Sequence, residues 1–280
     1  MLALGAVLAF VLFGSTSSQL TDPIAQAAAF SSSASGYRIR MAIEMTSPEL
    51  PSPLTLSGTG IVDVRDRSTA MSLAIDLGSD PRAIQVLGSS TLRMQMITNG
   101  GVLYLKLPSA VTASFPVSGK RWLKLDVGKL KSFPGFSSLG TSPSMQDPSH
   151  MLQTLESESS NTVNEGKQYV DGSDTTHYRA YLNLGQLAGD LSQSQQAAAQ
   201  HAISILEQAT KSQELPVDVW VDAHGFVRRM VMTIDLAVPN GGSMQEAVTA
   251  DLSDYGPQPR PAAPPSDQVQ DIGGLLHIGG

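Results

Sequence analysis

The sequence predicts an α+β fold in which one strongly curved antiparallel sheet of about ten or eleven strands carries helices against its inner face. Two observations predict it: segments of period-2 alternation recur along most of the chain, and helical periodicity is confined to a few stretches between them. No linker divides the strands into two balanced sets, so a pair of sandwiches is the less favoured alternative. With 280 residues, 41% of them hydrophobic, the chain can bury a substantial core.

The clearest strand pattern lies in residues 215–237, which predict two long strands joined by a tight turn ending at Gly225. In the second strand, period-2 geometry places Arg228 on the apolar face and Val227 on the opposite one. The apolar residues of that face are Phe226, Met230, Met232, Ile234 and Leu236. The strand pair therefore has one wide apolar face.

The N-terminal residues 1–20 predict a secretory leader, because they contain no charged residue and residues 2–13 are nearly all apolar. This run is shorter than the roughly 20 residues that a spanning helix requires. A basic n-region is missing, so we expect either a start inside a longer signal, which we favour, or a non-functional segment; a buried structural helix is the other alternative. We expect an exported protein with a folded domain over residues 21–255.

The elements after the leader begin with a short helix, for which Thr21 or Asp22 is the cap and Pro23 the first residue. A series of alternating segments follows, and Asn99-Gly100-Gly101 predicts a hairpin turn between two of them. The predicted strands of this series are residues 37–46, 54–64, 69–77, 92–98, 102–107 and 122–125.

The middle and end of the chain add two predicted helices to the strands. One helix follows Asp147-Pro148, after a Gly/Ser/Pro loop that could gate a cavity, and the other covers residues 193–213. Two strands flank Asp171-Gly172, and a last strand covers residues 244–255. From residue 256 to 280 the proline-rich sequence predicts a disordered or extended tail.

Composition excludes several classes of function. A net charge of −7 and a pI near 5.1 argue against a nucleic-acid partner. The absence of cysteine excludes disulfides, thiolate metal sites and a lipid-modified N-terminal cysteine. The histidines are scattered without metal-ligand spacing, so we expect neither metal nor cofactor.

Catalytic patterns are equally weak, and we expect no enzyme. Asp218 and Asp222 share a strand face but lie roughly 13 Å apart, beyond the roughly 5 to 9.5 Å of a glycosidase pair, so we expect solvated residues there. Gly58-Thr-Gly60 lies between strand patterns with no helix after it to hold a phosphate. A hydrolase would need a serine, histidine and carboxylate set that the sequence does not show.

Two adjacent residues are the best polar candidates for the inner face, and only one of them can face it. His177 and Tyr178 point to opposite sides of a strand, and Tyr178 shares its side with Thr176, Ala180 and Leu182. We expect Tyr178 to face inward, either contacting a ligand or packing as an ordinary sheet tyrosine. Trp220 shares a face with Asp218, where it either packs or meets a membrane surface.

Five segments in order resemble the LppX and LprG type of envelope lipid-carrier lipoprotein, whose fold is like that of the lipoprotein carriers LolA and LolB. They cover nearly the whole mature chain. The segments are residues 20–28, Trp122-Leu-Lys-Leu-Asp126, Asp147-Pro148 with the leucines after it, residues 170–179, and residues 215–230. The resemblance implies a half-barrel sheet, helices over its hollow side, and a hydrophobic cavity between them that accepts acyl chains.

The predicted function is therefore a non-enzymatic carrier or binder of lipid, or of another long apolar molecule, that works at a membrane surface in the cell envelope. Methionines recur on the strands, and methionine suits a surface that repacks around varied apolar ligands; an ordinary filled core is the alternative. With a filled core the chain would be an envelope structural or sensing module. The predicted cavity lining is Ile39, Met41, Ile43, Met71, Leu73, Met94, Met96, Met151, Leu155, Tyr178, Leu206, Met230, Met232 and Ile234.

The sequence departs from the family at one place. The family usually has a lipobox cysteine, but the corresponding residues 12–19 contain none. We therefore expect an exported form, secreted or held by its leader, without N-terminal cysteine lipidation. Its partners would be a lipid or lipidated envelope molecule and the membrane surface, with no nucleic acid.

Overall fold

The computed structural model describes residues 22–48, 52–76, 78, 84–85, 88–108, 119–126, 159–183, 204, 207–208, 210–237 and 242–272, with only the backbone of 159–161. Over these residues the complete elements are one α-helix, a short 3-10 helix and twelve strands. The α-helix is α1, Pro23–Ser32, and the 3-10 helix is Ser266–Gln268. The strands are β1 Gly36–Thr46, β2 Leu54–Asp63, β3 Ser68–Asp76, β4 Thr91–Asn99, β5 Val102–Lys106, β6 Trp122–Asp126, β7 Ser159–Val170, β8 Ser173–Asn183, β9 Glu214–Asp222, β10 Val227–Ala237, β11 Ser243–Ser253 and β12 Val269–Asp271.

All twelve strands belong to one sheet, in the order β12-β6-β5-β4-β3-β2-β1-β11-β10-β9-β8-β7. Strands β1 to β6 are successive antiparallel neighbours, and so are β7 to β11. The antiparallel pair β1 and β11 joins the two series. The sheet does not close, since β7 and β12 each have one neighbour among the described strands. The predicted α+β class and open half-barrel are confirmed.

The turns between strands follow from a few residues with positive φ. Gly100 and Gly101 both have positive φ in the β4–β5 hairpin, as the Asn-Gly-Gly signal predicts. Gly225 has φ +88° in the β9–β10 turn, where Asp222 Oδ1 accepts hydrogen bonds from the amides of His224 and Phe226. Asp222 therefore holds this turn and is buried, whereas the sequence indicated a solvated residue.

The predicted helix after the leader is α1, and its cap is Asp22. The Asp22 Oδ1 accepts hydrogen bonds from the amides of Ile24 and Ala25 at 2.8 and 3.0 Å. Its buried side contributes Ile24, Ala27 and Ala28 to the core, against β7, β9 and β10. The helices predicted near 147–155 and over 193–213 lie largely or wholly outside the described residues.

A β-bulge at Arg228 corrects the predicted facing of the second hairpin strand. The pairing of β10 with β9 shifts between Val227 and Arg229, so one residue is inserted into the period-2 alternation. Val227 is therefore completely buried with the apolar residues. Arg228 forms an ion pair with Asp222 at 2.6 Å and does not share the apolar face.

The sheet differs from the predicted antiparallel one at its edge, because the tail supplies a parallel strand. Residues 269–271 form β12 beside β6, and the amide of Ile272 donates to the Lys124 carbonyl at 3.1 Å. Before them, Arg260 of the proline-rich segment forms an exposed ion pair with Asp66 at 3.2 Å. The tail is therefore ordered through Ile272, and residues 273–280 lie outside the described part.

Candidate functional site

One face of the sheet is apolar across eight neighbouring strands. In sheet order these strands are β4, β3, β2, β1, β11, β10, β9 and β8. Its residues follow the strand register, so each strand contributes to continuous transverse rows. The longest row is Met94, Leu73, Gly58, Met41, Ala250, Met230, Val219 and Tyr178. The row beside it contains Met96, Met71, Gly60, Ile39 and Leu252. We call this surface the apolar face.

The structure brings together every predicted lining residue that it describes. Ile39, Met41, Ile43, Met71, Leu73, Met96, Met230, Met232 and Ile234 are buried on the apolar face, and Met94 and Tyr178 are partly buried there. Tyr178 and His177 point to opposite sides, with Tyr178 on the apolar side as predicted. Met151, Leu155 and Leu206 lie outside the described residues.

Two glycines on β2 shape the middle of the apolar face. A Cβ on Gly58 would lie 2.6 Å from Cδ2 of Leu73, and one on Gly60 would lie 2.4 Å from the Ala70 carbonyl oxygen. The absence of side chains here lets Leu73 and Met71 cover the β2 backbone closely. The sequence predicted no phosphate site at these glycines, since no helix follows them, and the structure places both within β2, where they admit large neighbours.

A carboxyl group interrupts the apolar face, and the sequence analysis missed it. Glu246 on β11 is 1% exposed, and its register partners are Met45 on β1 and Ile234 on β10. Its Oε2 has no hydrogen-bond partner among the residues that the structure describes. Burial raises the pKa of Glu246 to about 7. The sequence contains a signal for this residue, because Glu246 is a single acidic residue at a position where the period-2 alternation of β11 places apolar side chains.

Aromatic residues and α1 cover the opposite end of the apolar face. The ring of Phe226 lies 4.7 Å from Phe30 of α1 and 4.3 Å from Tyr255, measured between centroids. The Tyr255 hydroxyl donates to the Val227 carbonyl, and the Val227 amide donates to Ser31 Oγ of α1. Burial raises the pKa of Tyr255. The helix α1, the β9–β10 hairpin and the chain just after β11 are therefore joined on this side of the apolar face.

The other face of the sheet, which we call the polar face, carries charged networks. Asp251 on β11 accepts hydrogen bonds from Arg40 on β1 and Arg229 on β10, and Asp171 in the β7–β8 turn also contacts both arginines. Burial alone would raise the pKa of Asp251, but the hydrogen bonds from Arg229 and Arg40 outweigh it and lower this pKa. These ion pairs connect the β7–β8 hairpin to the centre of the sheet.

Two neighbouring grooves, of about 900 and 730 Å³, are lined mainly by residues of the polar face. Both include Arg40, Thr59, Ser72, Gln95 and Asp251. The floor consists of small side chains between longer charged ones, and the first groove extends to Trp122 and Asp171. Sequence analysis did not single out these grooves, because their residues come from distant strands.

The described residues contain no group of three or more histidine, aspartate or glutamate side chains arranged to hold a metal ion. Across the same residues, no helix combines the length and apolar character needed to cross a membrane.

Comparisons with known proteins give structural matches only: no protein-family model and no curated protein matches the chain. LprF from Mycobacterium bovis is similar at 11% identity and a TM-score of 0.46, over 89% of this chain and 99% of that one. LppX from Mycobacterium tuberculosis is similar at 15% identity and a TM-score of 0.41, over 86% and 100%. A putative outer membrane lipoprotein-sorting protein domain from Vibrio parahaemolyticus is similar at 10% identity and a TM-score of 0.27, over 90% and 96%. The first two are of the LppX and LprG type that the sequence resembles, and the likeness is one of fold alone.

Proposed function

We propose that this chain is an exported, non-enzymatic binder or carrier of a lipid or another long apolar molecule in the cell envelope. The observation that carries the proposal is the apolar face, which extends across eight neighbouring strands and contains every described residue of the predicted lining. A surface of this width presents far more apolar area than α1 alone contacts within the described residues.

The chemistry of the apolar face suits long acyl chains. Methionine side chains are unbranched and polarisable, so Met41, Met71, Met230 and Met232 can repack around chains of different shape. From Tyr37 to Met45 the face extends about 26 Å along β1. Each CH₂ group buried on it would contribute about 0.8 kcal/mol, less the free energy of ordering the chain.

The place of action follows from the N-terminal segment and from the missing cysteine. An uncharged apolar run of residues 1–20 supports export, and the chain has no cysteine for acylation. In this proposal the mature domain works in the envelope or outside the cell, takes a lipid or lipidated molecule from a membrane surface, and passes it on. The leader is either removed or retained as an anchor.

A second candidate is an envelope structural or sensing module with the same fold and a filled core. Two observations favour it: the side chains of the apolar face are as buried as those of an ordinary core, and the edge strand β7 exposes Val163 and Tyr169. An exposed edge can pair with an extended segment of a partner protein. In this case no ligand would occupy the apolar face.

The experiment that separates the candidates is recovery of ligand with the protein. The mature form, starting near residue 20, is purified from a lipid-containing host and analysed by native and lipid mass spectrometry. Met232→Trp places a bulky ring on the apolar face, and Val231→Trp places the same ring on the opposite face of β10.

We expect a defined lipid with the unchanged chain, reduced occupancy in Met232→Trp, and unchanged occupancy in Val231→Trp, with cooperative unfolding in all three. Empty protein in repeated preparations would contradict carriage and support the filled core. Equal occupancy in all three forms would remove Met232 from the site.

A further inference from the structure

The carboxyl of Glu246 is placed where an ordinary core would have an apolar side chain. On its own strand, the neighbours on the same face are Met244 and Val248, and across the two adjacent strands they are Met45 and Ile234. None of these four side chains can donate a hydrogen bond. The Oε2 atom is buried without a partner among the described residues.

Such a carboxyl destabilises the folded protein unless something satisfies it. A buried polar group without a hydrogen bond loses its hydration and receives nothing in exchange, and a leucine or methionine of similar volume would pack without that loss. The four neighbouring side chains are already apolar, so an apolar residue at position 246 would complete the face. The placement of Glu246 therefore indicates a carboxyl that forms its hydrogen bond with a bound molecule.

We infer that Glu246 binds a neutral hydrogen-bond donor of the bound lipid, a hydroxyl or an amide N–H, and so fixes the polar end of the ligand on the apolar face. This inference rests on the proposed function and specifies which ligands it concerns. A carboxyl that keeps its proton near neutral pH both donates and accepts, so it matches hydroxyl and amide groups, which do the same. A donor bound there restores the missing hydrogen bond in a buried setting of low dielectric constant, where a hydrogen bond is electrostatically stronger than in water.

The position of Glu246 also gives the ligand a direction. Glu246 is three residues from the start of β11, and its partners Met45 and Ile234 are near the ends of β1 and β10. The other end of the same strands is covered by α1 and the rings of Phe226 and Tyr255. The donor group therefore lies at the end opposite to α1 and these rings, and the acyl chain extends along Met232 and Met41 towards α1.

A matched pair of ligands tests this without knowledge of the natural lipid. Palmitamide carries an amide donor, and methyl palmitate has a similar chain but no donor. Both compete against a fluorescent apolar probe bound to the mature chain, to Glu246→Gln and to Glu246→Leu. Thermal unfolding of all three proteins is measured alongside, and we expect Glu246→Leu to unfold at no lower temperature than the unchanged chain.

For the unchanged chain we expect palmitamide to bind roughly tenfold more tightly than methyl palmitate. Glu246→Gln should keep this preference, because its amide also donates and accepts. Glu246→Leu should bring the ratio close to one without weakening methyl palmitate. Equal binding of both ligands by the unchanged chain, or a preference that survives in Glu246→Leu, would overturn the inference and leave the proposed function standing. Failure of both ligands and of the probe to bind any of the proteins would overturn the proposed function itself.

Discussion

The imidazole of His177 stacks on the indole of Trp220, with ring centroids 4.3 Å apart and planes 3° from parallel. Both residues lie on the polar face, as direct partners on β8 and β9. The His177 Nε2 atom also lies 2.7 Å from Asp218 Oδ1, and Asp218 accepts two hydrogen bonds from Arg179. Gln168 on β7 accepts a hydrogen bond from the Trp220 indole and contacts His177 Nδ1. This network joins three strands on the side opposite to the proposed ligand.

Asp218→Ala should therefore destabilise the fold without affecting the ligand. It removes the acceptor shared by the buried His177 and the half-exposed Arg179, and we expect the free energy of unfolding to fall by about 2 kcal/mol. Urea denaturation measures this loss. Ligand affinity of the folded variant should remain within twofold of the unchanged chain, and a large loss of affinity would place the site on the polar face.

Glu246 should make stability depend on pH in a defined window. Its folded pKa is about 7 and its ordinary value is 4.5, so between these values the folded state holds the proton more firmly than the unfolded state. The contribution of Glu246 is fully present below about pH 4.5 and is lost as the pH rises through 7. We expect the ligand-free chain to lose up to about 3 kcal/mol between pH 5 and 8 relative to Glu246→Gln. Urea denaturation of both proteins at the two pH values checks this, and identical pH profiles would contradict it.

Gly60→Ala should be more destabilising than Gly58→Ala. The Cβ at Gly60 would meet the backbone oxygen of Ala70 at 2.4 Å, whereas the Cβ at Gly58 would meet the end of the Leu73 side chain, which can rotate. We expect losses of about 3 and about 1 kcal/mol respectively in the free energy of unfolding. Calorimetric or urea unfolding of both variants compares them. An equal effect would show that β2 does not lie as close to β3 as the structure places it.

Ile272→Ala tests whether the proline-rich tail is part of the folded domain. Ile272 is buried and its amide donates to β6, so we expect a loss of about 2 kcal/mol. Gln270→Ala, in the same short strand, removes no buried apolar group and should change stability by less than about 0.5 kcal/mol. If both variants have the same free energy of unfolding, the tail does not contribute to the stability of the folded domain.

The sequence predicted the sheet well because its strands alternate with little interruption. Eleven antiparallel strands, the capped α1 and the Asn-Gly-Gly turn depend on local residues, and each is visible in the pattern. The bulge at Arg228 was missed because the sequence does not mark which residue of a strand lacks a partner on the neighbouring strand. The bulge shifts the register of β10 against β9, so the predicted faces of Val227 and Arg228 were reversed. The strand β12 was missed because its parallel pairing with β6 brings together residues that are far apart in the chain.

The candidate site was predicted in composition more than in detail. Period-2 geometry predicted that Met41, Met230 and Tyr178 face inward, and the register places them in a single row. The importance of Glu246 could not be judged from sequence, because its missing partner is visible only when the strands on both sides are known. The polar-face grooves were missed for the same reason, because their residues come together only through pairing between strands that are far apart in the chain.

The central claim is that an acyl chain lies on the apolar face, and methionine methyl groups report on it directly. The mature chain is labelled with ¹³C at the methionine ε-methyl groups, saturated with palmitamide or methyl palmitate, and examined by nuclear Overhauser spectroscopy. We expect contacts between the acyl methylenes and the methyl groups of Met41, Met71, Met230 and Met232, which are buried on this face. Saturated binding without a contact to any of these four methyl groups would contradict the claim.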